Sequence, residues 1–257
     1  MNAHRFAWFL AAACLAATSA VRSAEIKVLA TIAVKAVMDD LVPRFERDSG
    51  HKVAIRFGTG AMLRKQIDAG ESFDVAILTP PEAVDALVKQ GLLAADSVAR
   101  FAGTRVGMAV RAGAPRPDIS SPEALKQALL AVKSVGHTDP ALGGTSGVHA
   151  KATIERLGIA SDVAGKVKLG ASPPALAELV AKGEVDLAFM QVSEIVPDKR
   201  LELVGPLLAP LEKTTLVSLG VRGDSKEGAA SRALMRFLVS PAAQAVVKAH
   251  GMEPPSP

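Results

Sequence analysis

Three times between residues 26 and 90 the chain repeats one pattern: a short β-branched strand, a turn of small residues, then an amphipathic helix. Residues 26–30, 53–57 and 74–78 carry the strand signal, and the turns are 31–33, Gly58-Thr59-Gly60 and Thr79-Pro80-Pro81. Helices follow from Val34, Ala61 and Glu82. Pro43 is expected to interrupt the first of them, since proline removes a helix donor and crowds the preceding turn; residues 44–48 then resume it and Gly50 ends it. Strands alternating with helices at this spacing build right-handed βαβ units and a mostly parallel sheet. In open α/β sheets ligands sit beyond the carboxyl ends of the strands. The three turns should therefore share one rim.

After Asp96 the texture changes and a second α/β unit begins. Residues 105–110 read as a strand, 112–121 as a loop rich in Pro and Gly, and 122–130 as a helix capped by Ser121. A short apolar strand at 132–135 then feeds HTDPALGGTSGVHAKATIERLG, residues 137–158. Gly143, Gly144 and Gly147 permit tight or positive-φ backbone there, Thr145 or Ser146 is a candidate cap, and 148–157 has helical spacing. A helix entered in this way aims unpaired N–H groups and a positive dipole end at whatever lies in front of it, which suits an anion.

Strand 167–169, turn 170–174, helix 175–181 and strand 185–190 continue the unit. The chain then passes through 197–210 into a strand at 214–221 and two helices, 229–238 and 241–250, which read as a return to the first sheet. The expected division is lobe I from 24–105 plus 211–257 and lobe II from 106–210, with a ligand cleft between them and closure by hinge motion.

Residues 1–23 read as an export leader: Arg5, an apolar run from 6 to 17, then small residues, with cleavage after Ala20 or Ser23. The run is too short to span a bilayer. The chain's one Cys and one Trp, Cys14 and Trp8, both lie in this leader and there is no Tyr, so the mature chain carries neither disulfide nor thiolate chemistry. With cleavage after Ser23 the formal charge of +4 loses Arg5 and Arg22, no acid offsets them, and +2 remains. Scattered basic residues and few aromatics exclude a nucleic-acid surface. No Lys follows the glycines of 143–147 in P-loop register, no GxGxxG follows the first strand, and GTSG at 144–147 lacks the GxSxG form. A metal site has no more than His137 and Asp139 to start from, and neither metal nor cofactor is expected.

The order of IKVLATIAV, RFGTGAMLRKQIDAGESFDVAI, GTSGVHAKATIERLG, ELVAKGEVDLAFMQVSEI and PAAQAVVKAHG resembles the periplasmic molybdate-binding protein family, the solute receptors of ABC importers. The resemblance covers nearly the whole mature chain. It implies an α/β, two-lobe, type II periplasmic-binding fold with mixed sheets flanked by helices. It further implies an oxyanion held between the lobes by hydroxyls and backbone amides, a monomer, and docking to an inner-membrane permease.

Against that family's pattern four positions depart. The hydroxyls that usually start the first two helices fall on Ala33 and Gly60, with Thr31 and Thr59 displaced beside them. A backbone contact before the 175–181 helix falls on Pro173, which has no N–H, and the tyrosine that closes the usual site falls on Gln191. Each lost donor to a desolvated oxyanion costs about 1–3 kcal/mol.

The candidate ligand residues are therefore Thr31, Ala33, Thr59, Gly60, His137, Thr145, Ser146 and Gln191, with Arg64, Lys65 and His149 as weaker candidates. Gln191 carries both donor and acceptor and suits a carboxylate better than a bare tetrahedral oxyanion. Glu194 reads as a helix N-terminal acid. The leading expectation is an exported receptor for a small anion, an organic carboxylate in place of molybdate. The alternatives are a periplasmic isomerase of an unsaturated tricarboxylate, similar to aconitate isomerase and using His137 or His149 as the base, and a true molybdate or tungstate receptor.

Overall fold

The computed structural model describes residues 23–255, and the expected leader lies outside them apart from Ser23. In chain order the strands and helices are β1 (Glu25–Thr31), α1 (Lys35–Ser49), β2 (Lys52–Gly58), α2 (Gly60–Asp68), β3 (Val75–Leu78), α3 (Pro81–Lys89), β4 (Ala99–Arg111), α4 (Pro122–Ala131), β5 (Val135–Thr138) and α5 (Thr145–Arg156). There follow α6 (Ala160–Val163), β6 (Val167–Gly170), α7 (Pro173–Ala181), β7 (Leu187–Gln191), α8 (Val192–Ile195), β8 (Leu201–Pro206), β9 (Thr214–Val221), α9 (Gly228–Leu238) and α10 (Pro241–Ala249). Two single-turn helices, Ile32–Val34 and Pro140–Leu142, complete the segments that reach the site.

The strands hydrogen-bond in the order β2-β1-β3-β9-β4-β7-β5-β6, with β8 on β4. Pairing is parallel inside each βαβ run, β1 with β2 and β3, and β5 with β6 and β7. It is antiparallel where the chain crosses: β9 against β3 and β4, and β4 against β7 and β8. The fold is thus the mixed α/β architecture expected, with the late strand β9 returned to the first sheet. One long strand joins the two halves. Ala99 to Arg105 of β4 pair with β9, and Val106 to Ala109 pair with β7.

Helices cover both faces in each half. Around β1, β3 and β9, Met38, Phe101 and Leu234 are fully buried with α1 and α9 on one face, while Leu63, Phe73 and Leu87 pack on the other. In the second half Met108, Leu125 and Phe189 form one core, and Leu176, Val185 and Met190 the other. Sandwiching of this kind is why β3 and β7 read as continuous apolar runs without alternation.

Three local expectations fail for identifiable reasons. Helix α1 runs unbroken through Pro43 because that residue is exposed while Met38, Leu41 and Phe45 stay buried on the opposite face. There the missing hydrogen bond leaves a carbonyl that water can reach, and packing outweighs a cost of about 3 kcal/mol. The strand expected at 132–135 begins only at Val135, because Val132 closes α4. Strand β8 occupies a passage read as loop, and its signal is supplied by the partner edge of β4.

Candidate functional site

The carboxyl ends of β1, β2, β3 and β5 converge on a small cavity of about 40 Å³. Thr31 and Ala33 line it after β1, Gly58, Thr59 and Gly60 after β2, and Thr79 after β3. Opposite stand Thr138 at the end of β5, Thr145 and Ser146 at the start of α5, and Ser172 and Pro173 at the start of α7. Gln191, Glu194 and Thr215 add to the lining, which among the described residues contains no Lys, Arg or His. Any anion held here is held by hydroxyls, amides and helix dipoles, without a cationic side chain.

Three helix entrances face the cavity and they differ in what they can donate. At α2 the N-cap Thr59 accepts from Met62 N at 3.3 Å and donates to Leu142 O at 3.1 Å, tying α2 to the turn before α5. Gly60 fits where it does because an added Cβ would stand 2.6 Å from the Thr79 carbonyl oxygen. At α5 the N-cap is Gly144, with no side-chain cap, so Thr145 and Ser146 lie inside the helix and do not cap it. Val148 N bonds Gly144 O, and the N–H groups of Thr145, Ser146 and Gly147 meet no acceptor among the described residues. Helix α5 can come this close to β5 because residue 147 is glycine: a Cβ there would collide with the Thr138 carbonyl.

At α7 the situation is reversed. Ser172 caps the helix by accepting from Ala175 N at 3.3 Å, and the first two helical positions are Pro173 and Pro174. Proline suits the first turn of a helix but offers no N–H. The α7 entrance shapes the cavity and contributes no backbone donor from those two positions.

The deep wall is polar and incompletely satisfied. Gln191 Nε2 donates to Thr215 Oγ1 at 2.9 Å, while Gln191 Oε1 and Thr138 Oγ1 are buried without a partner. Buried polar atoms normally find partners, so orphans converging on one cavity mark where a ligand's polar groups would complete the network. Glu194, third residue of α8, accepts from Gln191 N at 3.2 Å through Oε2. Its Oε1 forms no hydrogen bond and its carboxyl no ion pair among the described residues. Burial of the carboxyl, opposed only by that one backbone bond, pushes its pKa up to about 7.

Of the residues singled out in the sequence, Thr31, Ala33, Thr59, Gly60, Thr145, Ser146 and Gln191 all lie around this cavity. His137 does not: period-two alternation turns it to the same face of β5 as Val135, where Nδ1 lies 2.9 Å from Thr138 O. His149 sits on the flank of α5, with Nε2 2.9 Å from Leu211 O. Neither lines the cavity. Arg64 is paired with Asp68 one helical turn on, at 2.9 Å, and Lys65 is likewise absent from the lining.

Sequence reasoning missed Thr138, Ser172 and Thr215 and gave Glu194 only its capping role. Thr138 was hidden because β5 was placed three residues early. Thr215 has no local signal at all, since it comes from the returning strand β9. Glu194 does act as a helix N-terminal acid, and the same carboxyl also lines the cavity.

Residues 26–253 match the family model described as bacterial extracellular solute-binding protein. The chain is 30% identical to an aconitate isomerase from a Pseudomonas species over 233 residues, covering 88% of this chain and 87% of that one. It is 28% identical to the molybdate-binding protein ModA of Azotobacter vinelandii over 239 residues, covering 90% and 91%. Among solved structures, the periplasmic molybdate-binding protein of Azotobacter vinelandii superposes with a TM-score of 0.75 at 18% identity, covering 90% of this chain and all of that one.

Proposed function

The chain belongs to the bacterial extracellular solute-binding protein family, and on that premise we propose that it captures a small organic carboxylate between two lobes and hands it to an importer permease. The lobes correspond to residues 24–105 plus 211–257 and 106–210, and they close across the Thr59–Leu142 contact. One observation carries the anion reading: the uncapped α5 entrance, with the free N–H groups of Thr145, Ser146 and Gly147, stands over a cavity ringed by Thr31, Thr59, Thr79 and Thr138.

The carboxylate reading rests on what the ring lacks and on what it adds. Ala33, Gly60 and Pro173 supply no side-chain or, for Pro173, backbone donor to a tetrahedral dianion. Glu194, protonated below about pH 7, is instead a neutral acid that can donate a hydrogen bond to a carboxylate oxygen. Gln191 Oε1 accepts from a ligand hydroxyl or carboxylic acid, a service a bare oxyanion does not use. Calorimetric titration of the mature protein with sulfate, molybdate, succinate, citrate, and cis- and trans-aconitate tests this. Binding of at least one carboxylate at micromolar Kd is expected; binding of molybdate or sulfate alone would overturn it.

A second reading is favoured by the same carboxyl together with the 30% identity to an aconitate isomerase. A general acid–base group with a pKa near the working pH is well matched to proton transfer. In this reading Glu194, as carboxylate, takes a proton from a CH₂ carbon next to the double bond of an unsaturated tricarboxylate. The electron pair delocalises into the adjoining carboxylates, and the same proton returns to the far carbon as the double bond moves. No redox partner is needed. His137 and His149, the bases expected from the sequence, do not line the cavity. Incubating the protein with cis-aconitate and following ultraviolet absorbance separates the readings: turnover abolished in Glu194→Gln supports the isomerase, and binding without turnover excludes it.

A further inference from the structure

A cavity of about 40 Å³ is room for a few water-sized atoms. Pockets for organic ligands usually measure some 300–1,000 Å³, so a di- or tricarboxylate does not fit inside it whole. The cleft continues, however. Ile32, Pro173 and Glu194 line the small cavity and also a second, open basin of about 390 Å³. Its walls are α1, the start of α7 and the segment after α8.

The basin is built to meet a polar group. Ser193 lines it at 3% exposure, and its Oγ has no hydrogen-bond partner. Three cations border it. Lys35 is paired with Asp39 at 2.7 Å, and Arg200 with Asp198 and Glu178 at 2.8 and 2.6 Å. Lys199 forms no ion pair among the described residues. The acids of the basin other than Glu194 are thus engaged, while one ammonium and one buried hydroxyl are unassigned.

We propose that the ligand is an elongated polycarboxylate that spans both chambers: one carboxylate lies under the α5 entrance, and a distal carboxylate lies in the basin against Lys199 and Ser193. This rests on the carboxylate reading of the site and specifies its class. Pro173 and Pro174 acquire a purpose in it, because rings without N–H groups at the α7 entrance leave an unobstructed, non-donating wall along which a carbon chain passes from one chamber to the other. A compact anion uses the inner chamber only.

The test compares sulfate and acetate with succinate and tricarballylate on the wild type, on Pro174→Trp, which fills the basin from an exposed position, and on Lys199→Glu, which reverses its unpaired charge at an exposed position. Tricarballylate affinity is expected to fall about tenfold or more in both variants, with acetate or sulfate affinity changed less than twofold. Thermal unfolding identifies any variant that folds poorly, and Lys199→Glu, on an exposed side chain, keeps the test decisive if Pro174→Trp does. Equal tricarballylate binding in wild type and Lys199→Glu would overturn the two-chamber ligand while leaving a carboxylate site intact. Binding of sulfate with no carboxylate of any length would overturn the carboxylate reading itself.

Discussion

Helices α5 and α7 enter the same cavity from the same half of the molecule, and their first turns are chemical opposites. The α5 entrance begins on Gly144 with no side-chain cap and leaves three N–H groups open. The α7 entrance is closed by the Ser172 hydroxyl and by two prolines. Helical geometry alone therefore does not make an anion site; the identity of the first three residues decides whether the dipole end is available or sealed. Here one wall holds charge and its neighbour shapes the space.

The largest expected effect comes from separating α5 from its strand. Gly147→Ala places a Cβ against the Thr138 carbonyl, so the donating entrance must shift outward. A loss of about 2–3 kcal/mol in urea unfolding is expected from overpacking, despite the higher helix propensity of alanine. Loss of ligand binding should accompany it. An unchanged stability would mean that the close approach of α5 and β5 is not what sets the entrance.

A sharper intervention makes α5 resemble α7. Thr145→Pro places proline at the first helical position, where it is tolerated, after Gly144 at φ −73° and ψ 132°, which suits a residue preceding proline. Stability should move little, while affinity falls some ten- to hundredfold, the worth of one hydrogen bond to a charged acceptor at about 1.5–3 kcal/mol. The reciprocal change, Pro173→Ala, restores an N–H to the α7 entrance and should strengthen sulfate binding severalfold. Calorimetry on the pair measures how much of the contrast between the walls is carried by backbone donors.

The smallest effect concerns Glu194, which lines both cavities. Folded Glu194 keeps its proton up to about pH 7, whereas an unfolded glutamate loses it near 4.5. Between those values the folded state binds the extra proton, so this contribution to stability is complete below about pH 4.5 and is lost as the pH rises through 7. Carboxylate affinity should likewise weaken above pH 7, by up to about tenfold per unit. Glu194→Gln should flatten both profiles. Affinity that rises with pH in the wild type would show Glu194 acting as an acceptor.

Much of this was legible in the chain. The strand–turn–helix repeats placed Thr31, Thr59 and Gly60 on one rim because those turns are local and follow directly from β1 and β2. The glycines before α5 announced its entrance for the same reason. His137 reads from the sequence as a rim residue following a strand, but β5 begins only at Val135 and takes His137 into the strand on the Val135 face, while His149 sits on the flank of α5 with Nε2 near the Leu211 carbonyl. Arg64 shows the opposite case, since its partner Asp68 stands one turn away and its solvent role was readable.

By itself the sequence determined the alternation of elements, the fold class and the helix entrances, because apolar period, turn residues and capping chemistry act over a few neighbouring residues. Only the tertiary structure decided that β9 brings Thr215 to Gln191, that an added Cβ at Gly147 would meet the Thr138 carbonyl, and that Glu194 lines two cavities at once. Those outcomes depend on distances between segments far apart in the chain, and on the desolvation that such packing imposes on a partly buried acid.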